Sequence, residues 1–258
     1  ALLFLRAAGL PAKSPVPGLN LLRSALGILS MALWFFALPR MDFGACMVLS
    51  YTTAIFLVSL LGARALVRRG GMPWRMTAVI LAGFAGIVLV LRPSFSAGEA
   101  FPAAACIGKS LVDLGVYGAY RKLGEAHEPS VRVVLWYSAL GAAAGAMASV
   151  AAAGSVTLPG TANALPLVAM GCLFCFSQVS ITQSFTRGNL LLSSCLGFSA
   201  IPISAAAGVA LFGDPVSEES LLGMALILAS GVAGTVVARS DELRNASRPA
   251  EWSHQKER

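Results

Sequence analysis

Long apolar runs divide this chain, and short polar breaks separate them. The runs cover residues 19–38, 44–67, 76–91, 101–120, 133–153, 165–185, 190–212 and 221–238. A helix that crosses a bilayer needs about 20 mostly apolar residues, and these runs are close to that length. They are too long for strands, and their Leu, Ala and Gly content lacks the alternation of a membrane barrel. The breaks RRGGMP, RPSFSAGEAFP, GEAHEPS, LPGTANALP and FGDPVSEES are built from turn residues. The pattern predicts an all-α integral membrane bundle with about eight complete spans. Residues 1–8 (ALLFLRAA) are apolar but too short to cross, and the tail from Arg239 onward is polar.

Composition agrees about the solvent. The chain is 57% hydrophobic and 12% charged, against roughly 25% charged in a soluble domain, and its mean hydropathy is +0.76. The net charge of +7 does not point to nucleic acid, because the basic residues lie in short loops rather than in one stripe. They act instead as topology signals. With the C-terminus in the cytoplasm, every Lys and Arg except Arg40, Arg92 and Lys109 falls on the cytoplasmic side. In that assignment Arg23 counts as a cytoplasmic charge. The acidic loops around Glu99 and around Asp214, Glu218 and Glu219 then face outward. This predicts an inner or plasma membrane protein with a cytoplasmic tail at 240–258.

The chain also repeats itself. FFALPRMDFGACMVLSYTT, from Phe35, aligns with SITQSFTRGNLLLSSCLGFSA, from Ser180, with Arg187 following Arg40 by 147 positions. LAGFAGIVLVLR (81–92) aligns with LASGVAGTVVAR (228–239) at the same offset. Five helices per unit, an odd number, makes the two copies inverted, an architecture common among secondary transporters. The first repeat covers 1–92 and the second 101–239. The first two helices of the second repeat have no complete partners in the first. Their absence predicts roughly 45–50 residues upstream, one helix and most of another, by the same repeat logic.

The stretches LLRSALGILSMALWFFAL (21–38), MVLSYTTAIFLVSLLGARAL (47–66), WRMTAVILAGFAGIVLVLRP (74–93) and LLGMALILASGVAGTVVAR (221–239) resemble the drug/metabolite transporter superfamily, EamA-type branch. The resemblance runs from Leu19 to Arg239. It implies a ten-helix bundle of two inverted five-helix repeats, the first lacking most of its first two helices. It also implies a central cavity lined by the first four helices of each repeat, and transport of small metabolites, often amino acids and their relatives. The sequence departs from the family in SYTTAIF. Members often have a proline after Thr-Ser, where this chain has Ala54, and only the second repeat keeps one, Pro202.

Candidate chemistry sits inside the spans. Lys109 lies about 12 Å and Asp113 about 18 Å into their run at 1.5 Å per residue, so both fall near mid-membrane. Facing lipid, each would cost on the order of 2.5–3.5 kcal/mol; four apart, they share a helix face and neutralise each other. They read as a substrate or proton site, or as a structural ion pair. Gln178 and Thr182 share another face, with Gln183 beside them; they line a cavity or bond neighbouring helices. Trp34, Tyr51 and Thr52 are further substrate-path candidates. Pro202 should free the Phe198 carbonyl and kink its helix, so Phe198–Ser199 is either a polar patch on the cavity or a packing kink. GAAAG at 141–145 is a small-residue surface for internal packing, with a homodimer seam as the alternative. Cys46, Cys106, Cys172, Cys175 and Cys195 read as small packing residues, since no histidine accompanies the CxxC pair. No metal site, cofactor or enzymatic motif is expected. The reading is a secondary transporter for a small metabolite such as an amino acid, with proton coupling left open. Uptake of a larger cofactor-like solute, and a non-transporting scaffold or inert fragment, stand as alternatives.

Overall fold

Prolines, caps and glycines set the ends of the helices. The structure is a computed structural model that describes residues 13–67, 74–94, 97–155, 164–213 and 217–246. Helix α1 runs Pro17–Ala37 with Pro17 in its first turn, where a missing N–H costs nothing. Pro39 ends it in a short 3-10 turn, Leu38–Arg40. Asp42 then caps α2, Phe43–Val67, its Oδ2 accepting the Ala45 N–H at 2.9 Å. Helix α3 spans Trp74–Leu91, α4 Ala100–Glu125 and α5 Ser130–Ala153. Gly154, at φ 71°, closes α5 in the left-handed conformation that glycine adopts freely. Helix α6 spans Ala164–Arg187. Ser217 accepts the Ser220 N–H at 3.2 Å and caps α9, Glu218–Ala246.

The seventh apolar run is two helices, α7 at Leu190–Gly197 and α8 at Ala200–Phe212. The break explains how Pro202 is accommodated. It sits in the first turn of α8, where no intrahelical bond needs its N–H. The expected free carbonyl is not free: Phe198 C=O accepts the Ile201 N–H at 3.1 Å.

All regular elements among the described residues are helical. Seven helical stretches are long and apolar enough to cross a membrane, with α7 and α8 counted as one. The expectation was about eight. Helix α4 is the difference, since it is long enough but carries Lys109, Asp113, Arg121 and Lys122. The polar tail begins as helix, since α9 continues past Arg239 to Ala246. Residues 1–12 and the end of the tail, 247–258, lie outside the described residues.

The chain forms two compact units, 1–53 with 95–190 and 54–94 with 191–258. Each draws on both predicted halves. In the first unit α1 packs on α4 and α5, and α6 packs on α4 and α5. One apolar cluster there joins Val116, Tyr120, Leu123, Val133 and Phe185. A second joins Ala37, Met41, Ala45, Cys46 and Cys106. In the second unit α3 lies along α9, and small residues let the backbones approach. A Cβ on Gly86 would stand 2.7 Å from the Gly223 carbonyl oxygen, and a Cβ on Gly223 2.7 Å from the Gly86 oxygen. A Cβ on Gly83 would meet Ser230 Oγ at 2.6 Å and the Phe198 ring at 2.8 Å.

Candidate functional site

The polar side chains of the first unit gather where α1 meets α4, α5 and α6. Lys109 and Asp113 occupy successive turns at the middle of α4. Lys109 Nζ donates to Asp113 Oδ2 at 2.7 Å, and the two side chains are 17% and 19% exposed. Ser30, on α1, donates to Asp113 Oδ1 at 2.6 Å. The Lys109 ammonium lies 5.8 Å from the centroid of Trp34, one turn further along α1. Pair, hydroxyl and ring thus form one cluster, in which each carboxylate oxygen has a donor.

Arg23 forms a second cluster seven residues before Ser30, about 10 Å along the helix. It is only 3% exposed. Its Nη2 donates to Tyr120 Oη and, at 3.0 Å, to Gln178 Oε1. The guanidinium lies 4.0 Å from the Tyr137 ring centroid and 4.9 Å from that of Tyr120, within cation–π range. Its Nε and Nη1 meet no acceptor. The α1 and α4 chains run in opposite directions here: 23 meets 120, and 30 meets 113. One interface therefore carries both clusters.

A third group closes the end near the α4–α5 turn. Arg132 Nη1 donates to both Glu128 oxygens, at 3.3 and 3.2 Å. Asn20 Nδ2 donates to Glu128 Oε1 at 3.1 Å and to Ser14 Oγ at 3.0 Å. Both members of this ion pair are buried.

The other expected residues distribute unevenly. Gln178 joins the Arg23 cluster. Thr182 is fully buried, but its hydroxyl bonds the Gln178 carbonyl of its own helix at 2.7 Å. Gln183 is exposed. Thr52 turns its hydroxyl to the Leu49 carbonyl at 2.6 Å, and Tyr51 beside it is half-buried. Ser110 of α4 donates to the same Leu49 oxygen at 2.9 Å. In the second unit Phe198 is buried against Gly83 and acts in packing, while Ser199 bonds back to Leu196 at 2.6 Å. Gly141 and Gly145 were expected at an internal contact, yet a Cβ on either would meet nothing within 4 Å. Cys46 and Cys106 lie with their sulfurs 3.2 Å apart.

Arg23, Tyr120 and Tyr137 were not among the candidate residues. The signal was present for Arg23, which stands four residues inside the first apolar run. Reading it as a topology charge hid it.

One solved crystal structure matches 91% of this chain and 82% of its own at 20% identity, with a TM-score of 0.74. At that identity the likeness shows the fold alone. No family model matches the chain, and no curated protein does.

Proposed function

We propose that this protein is a secondary transporter that moves a small polar metabolite, an amino acid or a relative, across the cell membrane. The observation that carries the reading is the run of buried polar groups between α1, α4, α5 and α6. Charges within apolar helices mark solute or ion paths by default. Here the Lys109–Asp113 pair and Arg23 share one interface, with Gln178 beside Arg23. On this reading the chain is an EamA-type member of the drug/metabolite transporter superfamily, with two inverted repeats and a cytoplasmic C-terminus. The repeat reading gains support from the α3–α9 contact. Gly83 abuts Ser230, the residue 147 positions on, and Ile80 and Ile227, at the same offset, are each 1% exposed. A two-fold relation brings equivalent residues together at its axis.

The test is uptake into proteoliposomes holding the purified full chain, with radiolabelled amino acids and other small polar solutes inside or outside. Saturable flux that Asp113→Asn abolishes is the expected result. No flux of any solute by folded protein would reject transport and favour a scaffold.

A further inference from the structure

Among the described residues of the first unit, of the three cations Arg23, Lys109 and Arg132 only Arg23 lacks a counter-ion. Lys109 has Asp113, and Arg132 has Glu128. Arg23 is as buried as Arg132, yet no described carboxylate reaches it. A guanidinium does not escape burial by losing its proton, and an uncompensated buried charge is strongly destabilising. Two tyrosine faces and two neutral oxygen acceptors offset part of that. They leave Nε and Nη1, which hold three of the five guanidinium protons, without an acceptor.

We infer that Arg23 is an anion-recognition residue that takes the carboxylate of a small organic acid. Several features fit this chemistry. Nη2 is anchored by Tyr120 and Gln178, so the plane of the fork is fixed before a ligand arrives. The free donors are those a carboxylate accepts from, in charge-assisted bonds about twice as strong as neutral ones. The rings of Tyr120 and Tyr137 lie against the guanidinium and hold it in place without supplying a counter-charge. Because Lys109 and Asp113 already neutralise each other, the unbalanced charge of the interface is a single positive one. It favours a solute that carries a carboxylate, an amino acid included, over a cation without one. This rests on the transporter reading for its biological meaning but not for its chemistry.

The experiment compares acids with their amides on the full chain in nanodiscs of neutral phosphatidylcholine, which removes anionic lipid headgroups as a source of the anion. The probes are acetate, butyrate and benzoate against acetamide, butyramide and benzamide, read by Trp fluorescence and thermal midpoint. The expected result is saturable binding of at least one acid, at least tenfold tighter than its amide. Arg23→Gln should lose at least tenfold of that affinity, and Arg23→Lys should lose less, keeping the charge without the fork. Equal responses to acid and amide in the wild type would overturn the inference, as would no response to any acid or full affinity in Arg23→Gln. Should Arg23→Gln not fold, the acid–amide difference and Arg23→Lys still decide. Anionic solute flux that is unchanged in Arg23→Lys and Arg23→Gln would sink this inference and spare transport. Acid binding through Arg23 without flux of any solute would do the reverse.

Discussion

The two compact units hold their helices together by different means. The first wraps helices around charged and hydroxyl side chains: Arg23 against two tyrosines, Lys109 and Asp113 against Ser30, Glu128 against Arg132 and Asn20. The second, in the contact of α3 with α9, brings backbones together at Gly83, Gly86 and Gly223, with Ser230 and Ile227 filling the seam. Lipid tails are as apolar as leucine, so apolar faces alone do not join helices in a bilayer. Close backbone packing and interhelical polar bonds do. Small-residue seams leave no room for a solute. Polar seams keep groups able to bind a solute.

The sharpest break of this comparison is a side chain in the dry seam. Gly86→Leu would place its Cβ 2.7 Å from a backbone oxygen that has no freedom to turn away. Overpacking by methylenes alone costs about 1–3 kcal/mol, and a backbone clash adds to that. The expected outcome is loss of folded protein, measured as the monodisperse fraction after purification. A Gly86→Leu variant of wild-type yield and stability would mean that α3 and α9 do not meet there.

Next in size is the charged pair of the first unit. Asp113→Asn leaves Lys109 without its counter-ion. The double change Lys109→Ala/Asp113→Ala removes both desolvation costs together. Breaking a fully buried pair costs about 3–5 kcal/mol; this one is partly exposed, so a smaller loss is expected. The single variant should therefore have the lower thermal midpoint, and its flux should fall further than the double variant's folding does. A well-folded double variant with normal flux would make the pair structural only. Loss of flux at normal expression would put it on the solute or proton path.

How far the sequence could reach differs between the units for a physical reason. Helix positions follow from the local period of apolar residues, and most runs predicted from it lie within a few residues of the observed helices, though α4 and α9 continue into polar sequence and one run is two helices. The Lys109–Asp113 pair is also local, since its spacing of four lies on one turn. Arg23 depends on Tyr120 and Tyr137, about a hundred positions away, and no local pattern reports such a contact. Its burial was legible only as an arginine inside an apolar run. Pro202 announced a kink, and the run divides there into two helices. The fate of the Phe198 carbonyl depended on where the new helix began, which the proline alone does not fix. The small-residue motif at 141–145 named a surface able to pack closely. Whether a neighbour lies against it is a tertiary fact, and among the described residues none does.

A smaller effect tests the hydroxyl link between α4 and α2. Ser110 is fully buried and donates to the Leu49 carbonyl at 2.9 Å, with the Ser50 oxygen at 3.2 Å. Those carbonyls also receive Thr52 and Thr53, so they keep a partner when Ser110 is lost. Ser110→Ala should therefore cost about 1 kcal/mol, the net worth of one hydrogen bond, read as a lower thermal midpoint with unchanged yield. A drop as large as that of Asp113→Asn would show that the hydroxyl holds more than these carbonyls.

The smallest expected effect repeats the largest test at another glycine. Gly141→Leu, in α5, makes the same change of residue as Gly86→Leu, also in the middle of an apolar helix. At Gly141 a Cβ meets nothing within 4 Å. A substitution away from any packed feature is usually within about 0.5 kcal/mol of neutral, and leucine is the better helix former. Thermal midpoint and folded yield should stay near wild type. A loss comparable to that of Gly86→Leu would mean that α5 is covered in the membrane, by a second copy of the chain or by residues outside those described. Chemical cross-linking of the wild type in bilayers would separate the two, since only a second copy gives a dimer that Gly141→Leu abolishes. If Gly141→Leu is neutral while Gly86→Leu does not fold, the difference lies in what stands opposite each glycine and not in glycine itself.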